Sequence, residues 1–103
     1  MVVFSVLYPA NPGGKFDAAY YDAVHIPMAK EAFAATGLVD VKVFHGLSAP
    51  DGGPAPFVAM AHLIFESPEA LSASLGGPRG EDIRADVANF TDIPSVIQIS
   101  AVS

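Results

Sequence analysis

The spacing of hydrophobic residues changes along the chain from the period of a strand to that of a helix. MVVFSVLY at 1–8 is rich in β-branched and aromatic residues and predicts a strand that ends at Pro9. After a turn-rich loop, Asp17 is a candidate helix N-cap, and Phe16 can pack on the first turn as a hydrophobic staple. An apolar stripe at four-residue intervals predicts the helix itself, with members Tyr20, Val24, Met28 and Ala32. Gly37 is expected to end it.

Two strands, a helix and a last strand are predicted for the rest of the chain. LVDVKVFHGL (38–47) alternates, which places on one side Val39, Val41, Val43 and His45. FVAMAHLIFE (57–66) has almost no polar alternation, so we expect both of its faces to be buried. Ser67 and Pro68 begin a helix that Gly-Gly-Pro interrupts and 81–90 resumes, and PSVIQISAV (94–102) is the last strand.

The order β-α-β-β-α-β predicts an α+β protein with a ferredoxin-like fold, in which a four-stranded antiparallel sheet carries two helices on one face. Strands that are apolar on both sides need cover on the face without helices. We therefore expect a second subunit there, which makes a dimeric α+β barrel. A ligand cavity is expected on the other side, between the first helix and the sheet.

Composition narrows the class of partner. The 103 residues predict one domain over 1–103, and a charged fraction of 16% is low against the usual ~25%, which favours a homodimer. A net charge of −6 with five scattered Lys and Arg disfavours nucleic acid and anionic membranes. The lack of cysteine suits a cytoplasmic protein. We expect no signal peptide and no membrane span, because polar or proline residues break every apolar run.

A histidine stands two residues before a proline inside the predicted first helix, in YYDAVHIPMAKEA. Pro27 offers no amide to the carbonyl four residues earlier and disfavours helical geometry at Ile26. His25 lies one turn after Tyr21 and can point toward the sheet, where an imidazole suits proton removal beside a carbonyl. The alternative is a structural role, in which His25 hydrogen-bonds the backbone group that Pro27 leaves free.

Several segments carry a family likeness. FDAAYYDAVHIPMAKEA (16–32) resembles the F-D-x-x-Y-Y-x-x-x-H-x-P-[LM] signature of the EthD-like family, named for ethyl tert-butyl ether degradation. Further segments resemble the same family in the same order, namely VLYP (6–9), AMAHLIFES (59–67) and ADVANFTDIPSVIQIS (85–100). The resemblance spans nearly the whole chain and implies a dimeric α+β barrel. It also implies kinship with a wider superfamily of cofactor-independent isomerases, cyclases and monooxygenases that act on small aromatic, lactone or polyketide compounds.

Members of this family are often described as reductases, but nothing in the chain indicates a redox cofactor. No G-x-G-x-x-G fingerprint follows a strand, and there is no cysteine for a metal cluster. We therefore expect neither an organic cofactor nor a metal. A zinc site made by all three histidines is disfavoured, because His25, His45 and His62 fall on a helix, an edge strand and a central strand.

His25 is the expected catalytic acid/base residue, and the resemblance adds weight to this role. Candidate substrate-binding residues are Tyr21, Tyr8, His62 and Gln98. The first two carry a phenol beside the expected cavity, whereas the last two are polar groups in apolar strands that need a partner from protein or ligand. Ordinary packing is the alternative for each of them.

The remaining polar candidates are expected to be structural. His45 should lie at the surface or in a dimer contact. Asp22, three residues before His25, is a possible partner for its Nδ1, although a solvated helix face is favoured for it. Three further carboxylates are interpreted as caps and turn formers, namely Asp17, Asp86 and Asp92.

The sequence thus predicts a cytoplasmic homodimer that binds a small, largely apolar organic metabolite. The favoured activity is cofactor-independent proton transfer, as in an isomerase or cyclase, and cofactor-free oxygenation is a second enzymatic option. A non-catalytic accessory or carrier protein for an oxygenase in a degradation pathway is the competing hypothesis. A third possibility is a dimer whose cavity is filled by its own side chains.

Overall fold

Four strands form one antiparallel sheet in the order β2-β3-β1-β4, in a computed structural model that describes all 103 residues. The strands are β1 (Val2–Pro9), β2 (Leu38–His45), β3 (Phe57–Phe65) and β4 (Val96–Ala101). The two central strands, β1 and β3, pair along their whole length. Together with the helices this confirms the predicted ferredoxin-like α+β class.

Three helices cover one face of the sheet. Helix α1 spans 18–33, α2 is Pro68–Leu75 and α3 is Pro78–Asp86; short 3₁₀ turns follow α1 at Ala34–Thr36 and α3 at Val87–Asn89. Ser67 caps α2 as predicted. Helix α3 begins at Pro78, within the Gly-Gly-Pro segment predicted only to interrupt a helix, because proline fits the first turn, where its missing amide has no intrahelical partner.

The predicted signals at the start of α1 are confirmed. The carboxylate of Asp17 accepts a hydrogen bond from the amide of Tyr20 at 3.0 Å, which satisfies one free donor of the first turn. Phe16, directly before this cap, packs on Tyr21 with 5.1 Å between ring centroids. At the other end, Gly37 follows the 3₁₀ turn with a φ of 98°, the left-handed geometry that ends many helices.

Helix α1 contains a π-helical turn, Tyr21–His25, between its α-helical segments Ala18–Tyr20 and Ile26–Phe33. The amide of Ile26 donates to the carbonyl of Tyr21, five residues earlier, instead of the usual four. The expectation that Pro27 would move Ile26 out of helical geometry is wrong, since Ile26 keeps φ −65° and ψ −46°. The wider turn before the proline absorbs the disturbance instead.

The buried stripe of α1 lies one residue away from the predicted one. Its members are Tyr21, His25, Ala29 and Phe33, all less than 9% exposed. Val24, from the predicted stripe, is 38% exposed, so that part of the prediction is wrong. Both sets are spaced by four residues and are largely apolar, so the pattern alone does not distinguish them.

Strand β2 also departs from simple alternation. Its pairing with β3 shifts between Leu38 and Asp40, and this irregularity brings Leu38 against the core. Val39, which was predicted to share one side of the strand with Val41 and Val43, is 49% exposed and is not among the residues packed against the core, so that part of the prediction is wrong. Val41 and Val43 both pack against the core, in agreement with their predicted position on one side.

The face of the sheet opposite the helices, here called the open face, carries no element of the chain. The strand register aligns an apolar row of Phe44, Met60, Leu7 and Val96, next to a polar row of Lys42, His62, Ser5 and Gln98. Phe44 and Val96 are 53% and 51% exposed. The expectation that β3 is buried on both faces therefore depends on a second molecule. No helix of the chain has the length and apolar character to cross a bilayer.

Candidate functional site

A cavity of about 450 Å³ lies between the helices and the sheet. The sheet contributes Phe4, Val6, Tyr8, Leu63 and Ile97, and α1 contributes His25, Ile26, Ala29 and Phe33. The rest of the wall comes mainly from α2, α3 and the turn after α3. Eleven of the fifteen lining residues are hydrophobic, so the space suits a largely apolar molecule. This open space lies beside His25, so the chain's own side chains do not fill the whole interior.

A buried carboxylate of α3 holds His25. The Nδ1–H of His25 donates to Oδ2 of Asp86 at 2.9 Å, and both side chains are more than 90% buried. The structural alternative for His25, a bond to the backbone near Pro27, is not what the structure contains. With Nδ1 as the donor, the neutral imidazole carries its lone pair on Nε2.

Asp86 is fixed by two further donors. The phenol of Tyr20 donates to Oδ1 at 2.6 Å and the amide of Asn89 donates to the same oxygen at 3.0 Å. Burial by itself raises the pKa of Asp86, but the bonds from Tyr20, Asn89 and His25 together bring this pKa below its ordinary value of 3.8. Asp86 is therefore ionised and acts only as an acceptor at neutral pH.

Two aromatic rings, whose own centroids are 4.9 Å apart, pack against the imidazole of His25. Tyr21 stacks on it with 5.6 Å between centroids and 18° between planes, and Phe90 lies at 4.6 Å with a tilt of 57°. The π turn carries Tyr21 and His25 on one face, four residues apart. Stacking and the bond to Asp86 together fix both the tilt and the rotation of the ring.

His25 Nε2 is open to the cavity. It has no hydrogen-bond partner in the chain. Every side-chain nitrogen or oxygen that is sealed from solvent does have a partner, so Nε2 is not sealed. His25 also lines the cavity wall. A lone pair held at the wall of an apolar space, with a carboxylate behind the ring, is the arrangement of a general base.

Tyr8 lines the same cavity as His25, whereas Tyr21 does not. Tyr8 is 2% exposed, and burial raises the pKa of its phenol to about 12. Tyr21 packs between the rings of His25 and Tyr8, with centroids 5.6 Å and 5.9 Å away, and burial also raises the pKa of its phenol; its ring meets His45 edge-on at 6.2 Å. Of the two predicted tyrosines, Tyr8 therefore lines the cavity, and Tyr21 stacks on His25.

His62 and Gln98 lie on the open face, away from the cavity. His62 Nδ1 is 2.7 Å from the hydroxyl of Ser5, so its partner is a protein group. The side-chain amide of Gln98 donates to the hydroxyl of Ser100 and is exposed. The register places His62 and Gln98 on either side of Ser5, so strand alternation turns all three away from the helices. His62 and Gln98 were predicted to bind substrate together with His25, and their position on the open face does not match that prediction.

Asp22 and His45 form a second, exposed pair. His45 Nε2 lies 2.9 Å from Asp22 Oδ1 at the surface between α1 and the end of β2. This matches the expected surface position of His45 and gives Asp22 a partner other than His25. The three histidines thus lie in three separate environments, and no group of three potential ligand residues surrounds a common point.

Asp86 is the residue that the sequence analysis missed. It was interpreted as a cap or turn former, and the structure corrects this, because its carboxylate is 7% exposed and holds His25. A signal was available: Asp86 lies three residues after Ile83 and four before Phe90, on the apolar side of α3. The negative charge of a carboxylate is also unfavourable at the C-terminal end of a helix, because of the helix dipole. Asp86 is therefore not explained by its place in the helix alone.

The fold and this site define a ferredoxin-like α+β protein with an apolar cavity and a buried His–Asp pair. The sequence model of the EthD domain matches residues 15–94. An uncharacterized 11.0 kDa protein of the thcB-thcC intergenic region of Rhodococcus erythropolis is 33% identical over 85 residues, which cover 81% of this chain and 75% of the relative. The chain belongs to the EthD family.

Solved structures agree with this assignment. A crystal structure of an EthD-like protein from Ralstonia eutropha JMP134 is similar with a TM-score of 0.89 and 38% identity, over 98% of this chain and 90% of the other. The same fold extends to SnoaB, a cofactor-independent oxygenase from Streptomyces nogalater. SnoaB has a TM-score of 0.67 and 13% identity, over 99% of this chain and 92% of the other. At that identity the likeness concerns the fold alone.

Proposed function

We propose that this protein binds a small, largely apolar organic metabolite in the cavity and that His25 moves a proton on it without a metal or organic cofactor. The observation that carries the proposal is the open Nε2 of His25, held at the wall of an apolar space by the bond from Nδ1 to Asp86. A general base fixed in a site of this kind contributes about 10²–10⁴-fold to the rate of a proton transfer. Isomerisation and cyclisation are reactions of this class.

The positions of the surrounding residues support defined roles. Asp86 stabilises the imidazolium that forms when His25 takes a proton, and Tyr20 and Asn89 hold Asp86 in place. Tyr21 and Phe90 fix the ring plane, and Tyr8 offers a phenol to the ligand. His25 is the catalytic residue of this proposal, and Asp86 and Tyr21 are positioning residues.

A homodimer in the cytoplasm is part of the same proposal. The half-exposed apolar row on the open face supports a second copy of the chain as its cover. Each subunit would keep its own cavity, because cavity and open face lie on opposite sides of the sheet. The family likeness supports a role in catabolism of organic compounds.

Native mass spectrometry of freshly purified protein tests the binding half of the proposal, since it reports the number of subunits and any retained ligand together. We expect a small organic molecule at one per subunit. His25→Gln keeps the size of the side chain and removes the base, so it should leave affinity for that molecule nearly intact and lower turnover by about 10²–10⁴-fold. His45→Gln, at the exposed pair with Asp22, is the matched control and should leave both unchanged.

A non-catalytic carrier is the second candidate, and the scarcity of polar groups in the cavity favours it. Eleven of fifteen lining residues are hydrophobic, so few contacts are available to orient a reacting centre. A carrier would bind the same molecule and release it unchanged. If the retained compound shows no turnover with the wild-type protein, and His25→Gln changes only its affinity, the carrier replaces the enzyme as the function.

A further inference from the structure

The buried end of the cavity carries two polar groups of different character. His25 presents a lone pair at Nε2, and Tyr8 presents a phenol; both side chains are less than 9% exposed. The other polar residues of the wall, Arg84 and Ser95, are exposed and therefore mark its mouth. A ligand that fills the cavity thus meets a base and a hydroxyl at its inner end and a cation near the solvent.

The phenol of Tyr8 has no partner within the chain. Every polar side-chain atom that is sealed from solvent has a hydrogen-bond partner, so the Tyr8 oxygen must face open space. The open space that Tyr8 lines is the cavity. A buried hydroxyl without a hydrogen bond is unfavourable, and a ligand acceptor would remove that cost. With its pKa raised to about 12, the phenol stays protonated and acts as a donor at neutral pH.

Building on the proposed function, we infer that the substrate is a neutral, enolisable carbonyl compound whose oxygen accepts a hydrogen bond from Tyr8 while His25 deprotonates the neighbouring carbon. Nε2 of His25 takes the proton, and the electron pair of the broken C–H bond forms a C=C bond. The carbonyl π pair moves onto oxygen, where the Tyr8 hydrogen bond stabilises the enolate. Where the substrate carries a β,γ C=C bond the intermediate is a dienolate: the pair on oxygen reforms the C=O bond, the γ-carbon takes the proton back from His25, and the α,β-unsaturated isomer leaves with no oxidant or reductant consumed.

The charges around the site favour a neutral carbonyl over a carboxylate at the inner end. Asp86 is ionised beside His25 and would repel a substrate carboxylate that binds there, whereas an enolate forms only as His25 becomes an imidazolium, whose positive charge offsets it. The cation of the wall, Arg84, is at the mouth, where it donates to the carbonyl of Leu75 and to Glu81. The apolar body of the substrate therefore extends from the carbonyl toward Arg84, and any acidic substituent belongs at that outer end.

Two probes with one carbon skeleton test this inference, namely the ketone 2-tetralone and the hydrocarbon tetralin. We expect the wild-type protein to bind 2-tetralone about tenfold more tightly than tetralin, as one hydrogen bond allows. Tyr8→Phe keeps the ring and its packing, so it should bind tetralin as before and lose the preference for the ketone. Thermal unfolding of the variant confirms that it is folded.

Exchange of the ketone's α-hydrogens in D₂O, followed by NMR, tests the chemical step. The wild-type protein should accelerate exchange, His25→Gln should abolish the acceleration, and Tyr8→Phe should reduce it by about 10²-fold, the usual loss for one oxyanion donor. A preference that survives in Tyr8→Phe, or that disappears in Tyr21→Phe instead, overturns the inference while the apolar site stands. If tetralin does not bind and the purified protein retains no ligand, the proposed function itself fails.

Discussion

At the scale of single residues, the main feature of the site is an ionised carboxylate kept away from water. Asp86 is desolvated and stands at the end of α3 where the helix dipole disfavours negative charge, yet its pKa is lowered. Three side-chain hydrogen bonds outweigh both effects. Residues that local rules disfavour in this way are concentrated at functional sites. An apolar residue at the same position would stabilise the fold at least as well, so stability alone does not explain them.

The lowered pKa of Asp86 makes the stability of the protein depend on acid. A group whose pKa is lower in the folded state stabilises the fold above its unfolded pKa, and this contribution is lost as the pH falls through the folded pKa. We expect urea unfolding to show a falling free energy of unfolding below about pH 5. Asp86→Asn should lower that free energy at pH 7 by about 1–3 kcal/mol, because His25 and Tyr20 lose their charged acceptor, and should flatten the acid dependence.

Asp82→Asn is the matched control for this prediction. It makes the same substitution on the same helix, but the Asp82 side chain is 67% exposed and its contact with Arg79 is 3.7 Å long. An exposed pair of this kind contributes little to stability, so the acid dependence should remain that of the wild type. Equal acid dependence in wild type and Asp86→Asn would contradict the assigned hydrogen-bond network.

The residues of the site could be predicted from the sequence only where local pattern carries the information. His25 stands out because a polar residue interrupts an apolar helix face before a proline. The distinction between Tyr8 and His62 depends on which face of the sheet receives the helices, and both residues lie in strands whose two sides are mostly apolar. Asp86 contacts His25 across 61 positions of sequence, a pairing that no local spacing encodes.

At the scale of elements, the π turn links a proline to the geometry of the site. A proline inside a regular helix costs about 3 kcal/mol, partly through a clash with the carbonyl four residues earlier. In α1 the widened turn before Pro27 relieves this clash and at the same time stacks Tyr21 on His25. Hydrophobic periodicity assumes a regular helix, which is why it located α1 correctly and missed both the π turn and the identity of the buried stripe.

Pro27→Ala should therefore stabilise the protein and disturb the site. The new amide allows α1 to form a regular helix, so we expect a higher Tm, together with a changed NMR shift of the His25 ring hydrogens as the stacking on Tyr21 is lost. Pro68→Ala is the control, because Pro68 occupies the first turn of α2 and its missing amide has no intrahelical partner. A Tm that falls in Pro27→Ala would show that the π turn already removes the whole cost of the proline, so that a regular helix gains nothing.

The junction between α1 and β2 depends on the close approach of α2 to Gly37. A Cβ at Gly37 would lie 2.5 Å from the Cβ of Ala70, and the positive φ adds backbone strain. We expect Gly37→Ala to lower the free energy of unfolding by about 2 kcal/mol or more. Gly13→Ala separates the two effects, because Gly13 also has a positive φ of 80° but no atom within 4 Å of the added Cβ.

The double variant Gly37→Ala/Ala70→Gly completes this prediction. It removes the steric conflict but keeps the backbone strain at Gly37. Urea unfolding should give an interaction free energy between the two sites that is larger than ~0.5 kcal/mol, the scatter found for independent mutations. If Gly37→Ala lowers the free energy of unfolding no more than Gly13→Ala does, Ala70 does not approach Gly37 as closely as the structure shows.

At the scale of the whole molecule, the two faces of the sheet differ in how completely the chain covers them. On the helix side of β3, the side chains of Ala59, Ala61, Leu63 and Phe65 are all buried. On the open face, the row that runs through Met60 is only half-buried, and its end residues Phe44 and Val96 are more than half exposed. Packing a second sheet against this face would bury it at the usual distance of about 10 Å between sheets.

We expect sedimentation equilibrium to give twice the chain mass of 10.7 kDa. Met60→Asp places a charge in the middle of the open face, where a dimer would have to desolvate it, so this variant should sediment as a folded monomer. Val24→Asp makes a comparable change on the exposed side of α1 and should leave the dimer intact. Because the cavity lies on the other side of the sheet, the Met60→Asp monomer should still bind tetralin. A wild-type monomer, or a dimer that Met60→Asp leaves unchanged, would show that the open face is not the subunit interface.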